Sequence, residues 1–181
     1  GALPVLVVAV FTGGMVRGFS GFGFSMVAVT GMSLVLPPAL VVPAVLILDV
    51  LASLQLIPSI RRDIDWRSLR WLLAGSVLAT PAGVYVLATL PPAPMRVSIS
   101  LMVLAAAILL LRGWGWKGMP GPGFTAVVGA ASGLLNGAAA IGGPPVILFY
   151  LSSPAGITVS RASMIAFFLG LDLLSLGAAG V

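Results

Sequence analysis

Apolar positions run through this chain in long unbroken stretches, without the regular polar interruptions of a soluble fold. No charged residue falls within 18–48, 71–95, 97–111 or 118–160. A helix crossing ~30 Å of hydrocarbon needs about 20 predominantly apolar residues, so these runs predict several transmembrane helices. Combined with Gly and Pro breakers, the pattern predicts helices near 3–30, 38–60, 69–89, 94–111, 123–150 and 158–180, the first and fifth interrupted. The expected fold class is all-α: a polytopic bundle with about six helices visible and eight when complete, since the sequence stops within an apolar run, "GLDLLSLGAAGV".

Composition agrees, with 60% hydrophobic and 7% charged residues against roughly 25% charged in a soluble domain. The net charge of +5 does not point to nucleic acid, because the basic residues concentrate in two short segments between apolar runs. "RRDIDWRSLR" carries Arg61, Arg62, Arg67 and Arg70, and "RGWGWKG" carries Arg112 and Lys117, whereas the alternate connections hold Arg96 and Arg161. The excess of basic residues assigns loops 61–70 and 112–117 to the cytoplasm, and with the first element as one span it sets the N-terminus inside. Trp66, Trp71, Trp114 and Trp116 flank the same two segments, as expected of interfacial aromatics. A re-entrant first element would move the N-terminus outside and leave the loops where they are. No signal peptide is expected, since a basic n-region and a clear cleavage site are missing.

The chain contains neither Cys nor His. Thiolate metal sites, disulfides and the commonest general base are therefore excluded, and no cofactor or metal is expected. "GFSGF" has Phe22 where a nucleophile elbow needs Gly, with no His to activate Ser20. "GFGFSM" has Met26 in place of the third Gly of a dinucleotide fingerprint. The chain does not read as an enzyme.

A weak internal repeat is visible. "GGMVRGFSGFGFSMVA" (13–28) lies over "SGLLNGAAAIGGPPVI" (132–147) at an offset of 119, matching Gly14, Gly18 and Gly23 to Gly133, Gly137 and Gly142. Asp49 in "LILDVLASL" matches Asp172 in "FLGLDLLSL" at an offset of 123. These matches predict a first repeat over 1–115 and the start of a second over 118–181. Four intervening helices, an even number, predict copies of the same sense, a parallel repeat.

Gly129 and Gly133, at four-residue spacing, read as a close helix-packing face. The residues that follow each such face do not. "GFGFS" and "IGGPPV" place helix breakers at mid-membrane depth, and Pro144 and Pro145 fit the start of a helix but not its interior. A half-helix beginning there presents free N–H groups and the positive end of its dipole, which suits an anion. The candidate anion-binding residues are Arg17, Gly18, Ser20, Gly21, Gly23, Ser25, Asn136, Gly142, Gly143 and Pro144. The alternative for Arg17 is snorkelling to the interface or a structural pair with Asp49. Asp49 and Asp172 are expected in structural or proton-coupling roles, because two ionised carboxylates would repel an anion.

The motifs "GFSGFGFSMVAV" and "GGPPVILFYL", with a four-helix pattern between them, resemble the TauE/SafE family of sulfite and organosulfonate exporters over nearly the whole chain. The resemblance implies a bacterial inner-membrane transporter of about eight helices that carries sulfite, sulfoacetate or related sulfonates. Its first motif falls on Gly18, Gly21 and Gly23, and its second on Gly137, Gly142, Gly143, Pro144 and Pro145. Thr30 stands where the family leads one to expect proline, and the first motif lacks consecutive glycines. The implied partners are a small anion and the lipid bilayer, with a homo-oligomer possible. Export of a monoanion as a uniport is the simplest mechanism, since an inside-negative potential favours it by about 2.3 kcal/mol per 100 mV. A proton- or sodium-coupled importer and a non-transporting scaffold are the alternatives. The scaffold predicts Arg17 neutralised by a carboxylate and no water-lined space beside Gly142.

Overall fold

A computed structural model describes residues 1–181 except 33, 37, 90, 92–93, 95–96, 98–100, 102–103, 106–107, 109–110, 114, 116, 140–141 and 180–181. The described residues form helices and connections only: α1 (Ala2–Ser20), α2 (Phe24–Met32), α3 (Pro38–Ile60), α4 (Trp66–Thr89), α5 (Pro122–Ala139), α6 (Gly143–Leu151) and α7 (Ile157–Ala179). Within the expected helix 94–111, the described positions Pro94, Val97, Leu101, Leu104, Ala105, Ile108 and Leu111 are helical. Arg96, Trp114 and Trp116 lie outside the described residues. Among the described residues, α1, Pro43–Ile60 of α3 and Ile157–Ala178 of α7 are long and apolar enough to cross a membrane.

Both interrupted elements break where the glycines predict, but the chain turns back at the break and does not continue across. Gly21 and Gly23 have φ of 83° and 89°, a region that costs any side chain about 1–2 kcal/mol, and they reverse the chain between α1 and α2. A Cβ on Gly13 would lie 3.1 Å from Phe24, and one on Gly31 would lie 2.6 Å from Ala9 Cβ, so α2 runs antiparallel to α1. The second element does the same. A Cβ on Gly142 would lie 2.9 Å from the Ser132 carbonyl, while Tyr150, at the far end of α6, bonds Ser68 Oγ at 2.8 Å near the start of α4. At 1.5 Å per residue α1 is about 28 Å long and α2 and α6 about 14 Å, so each hairpin pairs a longer arm with a returning half-helix.

This corrects the expected topology. Val41 and Val45, early in α3, cluster with Leu6 and Ala9 of α1, so the connection after α2 lies at the same end of the bundle as the N-terminus. The first hairpin thus opens at the end opposite 61–65. Connection 152–156 lies at the 61–65 end: Ser163 Oγ accepts from the Asp65 amide at 2.9 Å, and Gly115 sits against the Ser152 carbonyl. The second hairpin therefore opens at the 61–65 end. The two hairpins run in opposite senses, not the same sense, because the turn-back of the first element removes one of the four expected crossings between them and leaves an odd number. The N-terminus and 61–65 lie at opposite ends, whereas Gly115 shares the 61–65 end.

Two apolar clusters hold the bundle. One joins the end of α3 and the start of α4 to α6 and α7 through Ile60, Leu72, Val146, Phe149 and Phe167; the other joins α1, α2 and the start of α3 through Phe24, Ala28 and Val41. α4 and α5 pack side by side, running in the same direction, along a seam of small residues. A Cβ on Gly75 would strike the Ala126 carbonyl, one on Gly129 the Leu72 carbonyl, one on Gly83 the Leu134 carbonyl, and one on Gly133 would lie 2.6 Å from Ser76. The packing role predicted for Gly129 and Gly133 is what the helices use them for. Large apolar side chains cover the outside, Phe19 at 95% exposure and Leu78 at 82% among them, which suits lipid and not water.

Candidate functional site

The tips of the two hairpins meet between α3 and α7, around a small cavity of about 30 Å3. Ser20 closes the first tip: its Oγ lies 2.7 Å from the Val16 carbonyl and 2.9 Å from the Phe22 carbonyl, which share its one proton, and the Gly21 amide donates to Arg17 O at 2.7 Å. The chain then passes Gly23 and starts α2 at Phe24, with Gly23, Ser25 and Met26 on the cavity wall. In the second tip Ser132 Oγ donates to the Gly142 carbonyl, and prolines follow in the first turn of α6. Gly142 has no room for a side chain, because a Cβ would lie 2.7 Å from Leu171 and 2.9 Å from Asn136. A Cβ on Gly143 would sit 3.9 Å from Met26 Sδ of the other hairpin.

The start of each half-helix thus faces the same space. The first-turn N–H groups of a helix have no intrahelical partner, and the dipole adds partial positive charge. The two starts are not equivalent. At α2 every residue of the first turn carries an N–H, whereas Pro144 and Pro145 remove two donors from α6.

The charged groups come from the surrounding helices. Arg17, 4% exposed and one turn before the end of α1, pairs through Nη1 with Asp49 Oδ1, and its Nη2 donates to Ser53 Oγ. Ser25 Oγ donates to the other Asp49 oxygen, Oδ2, at 2.6 Å. Asp49 lies midway along α3, so α1, α2 and α3 are tied together at one carboxylate. Asp172, 4% exposed on α7, also lines the cavity, and its Oδ2 has no hydrogen-bond partner among the described residues. Asn136 Nδ2 donates to Ser175 Oγ at 2.7 Å, linking α5 to α7.

Of the twelve residues singled out in the sequence, Arg17, Gly23, Ser25, Asp49, Asn136, Gly142, Gly143 and Asp172 line this cavity. The remaining four do not. The Gly18 carbonyl accepts from Arg161 Nη2 at 3.0 Å, Gly21 packs on the Arg161 stem, Ser20 serves the turn, and Pro144 is buried in α6. Sequence reading missed Ser53, which sits four residues after Asp49 and hence on the same helix face. It also missed the apolar walls Phe22, Ile147 and Phe168, which nothing distinguishes from ordinary lipid-phase residues, and Arg161, whose guanidinium meets the negative C-terminal end of α1. Among the described residues no cluster of acidic, Cys or His side chains could hold a metal ion.

Comparison with curated proteins finds no match, and neither does comparison with solved structures. A protein-family model, that of the sulfite exporter TauE/SafE, matches residues 5–180. With that match over nearly its whole length, and with apolar helices long enough to cross a bilayer, this membrane protein belongs to the sulfite exporter TauE/SafE family.

Proposed function

We propose that this protein exports small sulfur-containing anions, sulfite, sulfoacetate or related sulfonates, through the cavity between the two hairpin tips. The observation that carries the reading is the convergence of two half-helix starts on one buried, partly polar space, an arrangement that favours negative charge. The α2 start is the principal cradle, with Asn136 as a neutral donor at its rim and Arg17 as the fixed positive charge behind it, while Ser25 gives its one proton to Asp49. Halves 1–115 and 118–181 act as a duplicated pair of inverted sense, and rocking of one against the other exposes the cavity to each side in turn. The protein sits in the bacterial inner membrane with 61–70 and 112–117 in the cytoplasm, as the basic residues there favour. Its partners are the bilayer and the anion, with no nucleic acid.

One observation favours the scaffold reading: Arg17 is neutralised by Asp49. The polar space beside Gly142 speaks against it. Flux of sulfite, sulfoacetate and a carboxylate control from proteoliposomes of the full-length protein separates the two. Sulfur-anion flux that falls at least tenfold in Asn136→Ala supports transport. A folded wild-type protein that moves none of these anions returns the chain to a scaffold role.

A further inference from the structure

Counting charge around the cavity gives an imbalance. Its walls carry one cation, Arg17, and two carboxyl groups, Asp49 and Asp172. The guanidinium is committed to Asp49, which also accepts from Ser25. Asp172 lines the same cavity within electrostatic reach of that guanidinium, but its Oδ2 is buried and has no hydrogen-bond partner among the described residues. The other elements packed there bring no compensating charge: α5 contributes Asn136, α6 contributes Ile147, and α4 meets α7 through Leu73 against Gly170. With both carboxyls ionised the space is net negative, and an anion entering it would face an uncompensated carboxylate in a medium that screens poorly.

We infer that Asp172 is a proton-carrying residue, neutral whenever the anion occupies the cavity, so that anion and proton cross together. The inference rests on the anion site proposed above. Asp49 is not the carrier, because protonating it would break the pair that joins α1 to α3 and release a buried guanidinium. A monoanion bound with one proton moves no net charge. Wild-type flux then follows the anion and pH gradients and ignores the membrane potential, in place of the potential-driven uniport expected from the sequence.

The test uses full-length protein in liposomes loaded with a pH-reporting dye, with methanesulfonate as a probe whose charge is fixed across the working pH range. A potassium gradient with valinomycin sets the potential. Wild type is expected to move one proton per sulfonate, at a rate the potential leaves unchanged. Asp172→Asn, neutral at every pH, is expected to move sulfonate without protons and to accumulate it toward the imposed potassium ratio. Wild-type sulfonate flux that is proton-free, or that requires sodium, overturns the inference and leaves the anion site standing. One proton per sulfonate persisting in Asp172→Asn removes the assignment to that residue. A folded wild type that moves neither methanesulfonate nor sulfite sinks the anion site and this inference together.

Discussion

Arg17 of α1 and Asp49 of α3 form a buried ion pair, each side chain 5% exposed. Ser25 donates to Asp49 Oδ2, and Ser53 Oγ accepts from Arg17 Nη2. It is the only ion pair among the described residues, and it fastens the tip of the first hairpin to the middle of a long helix.

Removing one partner strands the other without water. Arg17→Gln and Asp49→Asn are each expected to destabilise by about 3–5 kcal/mol, while the double variant loses much less than the sum. Thermal unfolding of the purified protein in detergent reads all three. Additive losses would mean that the two groups do not depend on each other.

The seam between α4 and α5 predicts a contrast between two glycines on helices. Gly129→Val pushes a side chain into the Leu72 carbonyl and should lose about 3 kcal/mol, the upper end of overpacking in a core. Gly14 has nothing within 4 Å of a built Cβ, so Gly14→Ala should gain about 0.5–1 kcal/mol through helix propensity. Equal behaviour of the two in a melting experiment would contradict the seam.

Gly21→Ala and Gly23→Ala are both expected to destabilise by about 1–2 kcal/mol, since each holds a positive φ. The loss should be larger at Gly21, where the added methyl would stand 2.7 Å from Arg161 Cγ, than at Gly23, where Val16 is 3.1 Å away. Comparison of the two melting temperatures checks the order.

The opposed hairpins predict sidedness. With no native cysteine, single replacements at Leu34, Arg62 and Ser153 give clean labelling by an impermeant thiol reagent. Leu34→Cys should label from one side, and Arg62→Cys and Ser153→Cys from the other. Labelling of positions 62 and 153 from opposite sides would show that the second element crosses once, without turning back.

Much of this was legible beforehand. The breaks at "GFGFS" and "IGGPPV" were readable because Gly and Pro punctuate a helix by local sterics alone, and the Gly129 and Gly133 packing face was readable because spacing along a helix fixes which residues share a side. The direction of the chain after each break was not. A glycine in an apolar run permits a continuing half-helix and a turn-back equally, and the choice is made by contacts such as Gly31 on Ala9, 22 positions apart in sequence. The same reason hid Ser53 and Arg161. Their roles come from what the turn brings beside them, and hydropathy gives them no mark. The pairing of Arg17 with Asp49 was foreseeable as one option, since an intramembrane cation has few other places to find a counter-charge.

Hairpins that enter from opposite ends carry a consequence for direction. If each can adopt the other's posture, the inward- and outward-facing shapes of the protein are built from the same two conformations exchanged between halves, and the architecture alone prefers neither. A bias between loading on one side and release on the other then has to be written where the halves differ: Arg17 against Asn136, and Ser25 against Pro144, at the offset of 119 that relates them. Vectorial behaviour in this chain would be a property of a few unmatched side chains set in a framework that runs equally well backwards.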